Sequence, residues 1–124
     1  MKHNRFSIWQ RIHSFKYAFN GLKILFVEEH NARIHLLATV VVLAFSWYVQ
    51  INRLEWIALL FCIGLVLAAE AFNSAIEKLA DFVCTEQHPT IKKIKDLSAA
   101  GVLICACIAL IVGLVVFVPY FIVN

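Results

Sequence analysis

The sequence predicts an all-α membrane protein, with an N-terminal amphipathic surface helix followed by three transmembrane helices. Two observations carry that reading. First, hydrophobic residues make up 62% of the 124 residues and charged ones only 15%, with a mean hydropathy of +0.82; ordinary soluble domains carry roughly 25% charged residues. A chain this short leaves much of its surface uncovered on folding, so the solvent for much of it must be lipid. Second, the apolar residues gather into three runs long enough to approach or exceed the ~20 residues that cross a bilayer. One domain over 1–124 is expected.

From about 7 to 27, Ile8, Ile12, Phe15, Phe19, Leu22 and Phe26 recur at alternating spacings of four and three, with His13, Lys16, Asn20 and Lys23 on another face. A basic amphipathic helix of this kind lies in the membrane interface. The first span is expected over about 33–50, closing on Trp47 and Tyr48 as an aromatic anchor. Gln50 to Arg53 forms a polar turn. The second span runs over about 54–83, apolar through Ala69 and then continuing in helical rhythm through Glu70, Asn73, Glu77 and Asp81. A polar loop from Cys84 follows, in which Pro89 suits the first turn of a helix. The third span, about 92–122, opens on Lys92, Lys93 and Lys95 and is apolar from Leu97 to Val123.

All eleven Lys and Arg residues except Arg53, and all eight acids except Glu55, fall on one side of this arrangement. The positive-inside bias makes that side cytoplasmic, with the N-terminus inside and the C-terminus outside. Met1 to Arg5 lead into a charged stretch and not an apolar core with a cleavage site, so no cleavable signal peptide is expected. The aromatic residues are not interleaved with a basic tract, which argues against nucleic acid as a partner. Cys62, Cys84, Cys105 and Cys107 form no CxxC pair and read as small apolar packing residues. Ser98, Gly101 and Cys105 form a small-residue stripe suited to close helix contact. His30 and His35, five apart, do not share a helix face and read as interfacial polar residues.

Glu70, Asn73 and Glu77 carry the chemistry. Spacings of three and four put them on one stripe. At 1.5 Å per residue, Glu70 lies roughly 24 Å from Leu54, near the inner edge of a ~30 Å hydrocarbon layer. An acid held there, flanked by apolar Ala71, Phe72, Ala75 and Ile76, is functional by default. Two carboxylates and an amide suit a hard cation such as Mg²⁺, which takes oxygen ligands and substrate phosphates. Glu28 or Glu29 can add another oxygen, and Lys95, held by Asp96, a positive charge. There is no Walker motif, and Gly21, Gly64, Gly101 and Gly113 open no phosphate-cradling loop. The residues by themselves thus indicate metal-assisted chemistry at the cytoplasmic lipid interface. A small transporter or channel using Glu70 as an ion or proton site is the alternative; it leaves Glu29, Lys95 and Asp96 unexplained.

The run Glu70-Ala-Phe-Asn-Ser-Ala-Ile-Glu77, together with Tyr17 to Leu22, Glu29 to Arg33, and Glu86-x-His88 followed by Lys95-Asp96, resembles the prokaryotic integral-membrane diacylglycerol kinase family, which includes undecaprenol kinases. The resemblance spans nearly the whole chain. It implies an ATP- and Mg²⁺-dependent kinase acting on the hydroxyl of a membrane lipid alcohol. It makes Glu70 the catalytic base, with Asn73 arranging the centre, and makes Glu29 and Glu77 the metal ligands. Tyr17, Glu86, His88, Lys95 and Asp96 become nucleotide contacts. It further implies a homotrimer in the bacterial inner membrane, with sites shared between chains. An arginine that some members use for ATP falls at Gln10, and the adjoining Arg11 points elsewhere on the helix. The stretches 14–21 and 31–36 look more like the undecaprenol-kinase branch.

Overall fold

The computed structural model describes residues 7–122; Lys2, Arg5 and Val123 lie outside the described residues. Four helices follow one another, α1 (Ile8–Glu28), α2 (His30–Val49), α3 (Arg53–Val83) and α4 (Pro89–Ile122).

The ends of each helix have local causes. Ser7 is extended and its hydroxyl accepts the Gln10 N–H at 3.5 Å, capping α1. A single extended residue, Glu29 (φ −104°, ψ 113°), separates α1 from α2. Its N–H donates to Leu25 O at 3.0 Å and its carbonyl accepts from Arg33 at 3.3 Å, so one peptide unit ends one helix and begins the next. At the other end of α2, Gln50 is left-handed (φ 60°, ψ 59°), and the N–H groups of Gln50 and Ile51 both converge on Ser46 O. That conformation costs a residue with a Cβ roughly 1–2 kcal/mol. The turn is followed at once by a reciprocal cap: Asn52 Oδ1 accepts the Glu55 N–H at 2.9 Å, and Glu55 Oε1 accepts the Asn52 N–H at 3.1 Å. Pro89 is the first residue of α4, where its missing N–H costs nothing. The His88 Nδ1 accepts the Thr90 N–H at 3.1 Å, completing that cap.

α2, α3 and α4 are long and apolar enough to cross a membrane. At 1.5 Å per residue, α2 is about 30 Å long, α3 about 46 Å and α4 about 51 Å. Their most extensive packing is α3 on α4, with α2 against α3, while α1 touches α2 and α3. A small apolar core of Ile51, Leu59 and Val116 sits at the end with the α2–α3 turn, joined by Val42, Trp56 and Phe117. There Tyr120 also donates its hydroxyl to Glu55, tying the last turns of α4 to the start of α3. Most large apolar side chains point outward, among them Trp47, Tyr48, Phe61 and Leu110. A surface of this extent needs a non-aqueous cover. A Cβ built on Gly101 would meet nothing within 4 Å, so within the chain the small-residue stripe on α4 makes no close helix contact at that glycine.

Candidate active site

The polar residues gather at the opposite end of the bundle, where α1 meets α2 and α3 turns into α4. The second half of α3 supplies most of them. At helical spacing, Glu70, Ser74, Lys78 and Asp81 lie along one stripe, and the other helices bring their partners to it.

Glu70 is only 4% exposed. Its Oε1 lies 3.1 Å from Nε2 of His35 on α2, a side chain that keeps 28% of its own surface. The reading of His35 as an interfacial polar residue does not include this partner. A carboxylate buried this deeply is stable only when paired, and the imidazole is its counterpart.

One turn further along α3, the Ser74 hydroxyl donates to Glu29 Oε1 at 2.9 Å. Lys78 Nζ lies 3.5 Å from both Glu28 Oε1 and Glu29 Oε1. The extended residue between α1 and α2 is therefore fastened to α3 through its own side chain. Beside this cluster, Asn73 Nδ2 donates to Glu77 Oε1 at 3.4 Å, whereas the buried Asn73 Oδ1 has no hydrogen-bond partner. A carboxylate beside an unpaired amide oxygen has the donor chemistry of a hard cation. Among the described residues, no three His, Cys, Asp or Glu side chains come close enough to share an ion. A divalent cation such as Mg²⁺ would take its remaining ligands from phosphate oxygens, water or another chain, the ordinary way such an ion is held.

The α3–α4 connection forms a cleft of about 580 Å³ lined by Asp81, Glu86, His88, Lys92, Lys95 and Asp96, among others. Four of the five residues expected at a nucleotide line it together. The fifth, Tyr17, is absent from its lining; it sits exposed on α1 beside His13, the ring centroids 6.4 Å apart. Within the cleft the ion pairs differ from expectation. Lys95 Nζ pairs with Asp81 across the helices, and Asp96 Oδ2 receives Lys92 Nζ at 2.6 Å. Lys95 is therefore not held by Asp96. Consecutive helical residues point away from each other, whereas residues four apart share a face.

His35, Ser74, Lys78 and Asp81 are the site residues that sequence reasoning did not assign. Ser74, Lys78 and Asp81 were legible as members of the Glu70 stripe. Nothing in the sequence spacing links His35 to Glu70.

The prokaryotic diacylglycerol kinase family profile matches residues 16–117. The chain is 33% identical over 106 residues to undecaprenol kinase of Bacillus subtilis (strain 168), covering 86% of each. It is 36% identical over 88 residues to diacylglycerol kinase of Helicobacter pylori (strain 26695), covering 71% of this chain and 69% of that one. Over 105 residues it is 26% identical to diacylglycerol kinase of Escherichia coli K12, with 85% and 86% covered. With its all-helical fold and three apolar helices, the chain belongs to the prokaryotic diacylglycerol kinase family and is a lipid kinase of the bacterial membrane.

Proposed function

We propose that this protein transfers the γ-phosphate of ATP, as its magnesium complex, to the hydroxyl of undecaprenol or diacylglycerol at the cytoplasmic face of the inner membrane. The reaction would serve the recycling of lipid carriers and phospholipids. The observation that carries the reading is Glu70, a carboxylate buried at the polar end of a membrane-spanning helix, a short distance along α3 from the cleft that gathers Glu86, His88, Lys95 and Asp96.

Phosphoryl transfer requires in-line placement of the two oxygens and neutralisation of phosphate charge more than it requires covalent help. In this reading Glu70 accepts the proton of the lipid hydroxyl. As it does so, the lipid oxygen bonds to the γ-phosphorus, the bond from that phosphorus to the β–γ bridging oxygen breaks, and ADP departs. Glu77, with Asn73 Oδ1 beside it, and Glu29 would hold Mg²⁺, which would supply charge neutralisation to the phosphates. Lys95 exchanges its partner Asp81 for phosphate oxygen. Glu86, His88, Asp96 and Tyr17 contact the nucleotide. Tyr17 lies outside the cleft lining within one chain, which favours a homotrimer whose sites combine residues of neighbouring protomers, Glu29 of one acting with Glu70 and Glu77 of the next. The outward aromatic and apolar residues of α1, Trp9, Phe15 and Phe19 among them, suit a helix lying in the headgroup layer. The charge distribution of the chain supports a cytoplasmic position for this end.

The test is the purified protein in mixed micelles with labelled ATP, offered diacylglycerol and undecaprenol side by side. A phosphorylated lipid that forms only with magnesium present is the expected result; ATP consumption independent of both lipids would refute the reading.

A further inference from the structure

We propose that His35 is a positioning residue for Glu70, a role that rests on Glu70 being the base of the reaction above. Nε2 of His35 lies 3.1 Å from Oε1 of the Glu70 carboxylate. A proton on Nε2 fixes one carboxylate oxygen and the rotamer with it, leaving the second oxygen to meet the lipid hydroxyl. Both residues sit on long helices and not on loops, so the pair is held by rigid elements. The backbone at His35 is braced in turn by Thr39, whose hydroxyl donates to His35 O at 2.7 Å.

The surroundings strengthen the contact. His35 lines the polar end of an otherwise apolar groove of about 440 Å³ between α2, α3 and α4, with Val42, Cys62, Val66, Gly113 and Phe117 along its walls. Polar contacts beside such a wall are less screened than in water. A buried carboxylate without its partner would be free to turn toward water, away from the lipid hydroxyl, and that change removes a usable base. His35 thus acts through Glu70 and does not itself touch the transferred group.

The experiment compares the full-length wild type with His35→Ala and His35→Gln for turnover and for KM of ATP and lipid. The glutamine keeps an N–H donor at nearly the reach of Nε2. The expected result is a kcat for His35→Ala lower by roughly 10–100-fold, by analogy with the loss when a group orienting a metal ligand is removed, with KM for ATP within about twofold of wild type. His35→Gln should recover most of the lost turnover. Should the alanine variant fail to assemble, His35→Leu, closer in volume, takes its place. Unchanged kcat in the apolar variant, a glutamine variant no faster than it, or a loss confined to KM would each overturn the role of His35 alone. A wild type that phosphorylates neither lipid would overturn the kinase reading as well.

Discussion

Glu29, the one extended residue between α1 and α2, takes the Ser74 hydroxyl on its Oε1 at 2.9 Å, so the bend in the chain is fastened directly to the stripe that carries Glu70. A residue expected to hold metal is thereby also the residue that sets the angle between two helices. Ser74→Ala should lower stability in detergent by about 0.6–1.7 kcal/mol, the range measured for polar contacts between membrane helices. Thermal unfolding reads that loss, and turnover should fall with it because Glu29 is no longer fixed.

Glu70→Gln should leave folding and assembly intact, since the amide keeps the volume and can still pair with His35. Lipid phosphorylation should fall about 10²–10⁴-fold, the contribution of a general base. Size-exclusion profiles and turnover measured on one preparation check both halves; near-normal turnover would remove Glu70 from the mechanism.

Glu29→Gln and Glu77→Gln should each raise the magnesium concentration needed for half-maximal rate, because each weakens a proposed oxygen ligand. A magnesium titration at fixed ATP reads the shift. Identical titrations for both variants and wild type would refute the ligand assignment.

Lys95→Met should raise KM for ATP about tenfold or more, the worth of a charge-assisted hydrogen bond of about 1.5–3 kcal/mol. Asp81→Asn, which weakens the present partner of Lys95, should leave KM for ATP unchanged or lower it. Steady-state kinetics with varied ATP separates the two.

Asn52→Ala removes the cap at the far end of α3. A loss of about 1 kcal/mol is expected, with turnover retained, because the cap is remote from Glu70. Thermal unfolding paired with activity provides that control.

The sequence conveyed the four helices because their signals are local. Pro89 marks a helix start, and a polar turn closed by Asn52 and Glu55 separates two apolar runs. The acids on α3 were legible for the same reason, since spacing along one helix determines which residues share a face. The pairings His35–Glu70 and Lys95–Asp81 were not legible, because each depends on how one helix is rotated against another. That rotation is set by packing spread over many apolar residues. Proximity in sequence misled at Asp96: adjacent to Lys95, it nonetheless faces Lys92.

α3 is a single unbroken rod from Arg53 to Val83, and it carries Glu55, Glu70 and Asp81 without a hinge. Its polar groups therefore keep fixed heights above one another. When the surrounding bilayer thickens or thins, no joint within α3 absorbs the difference, and a change in the tilt of the rod is one way to accommodate it. Membrane thickness thereby becomes a mechanical input to how deep the Glu70 carboxylate sits.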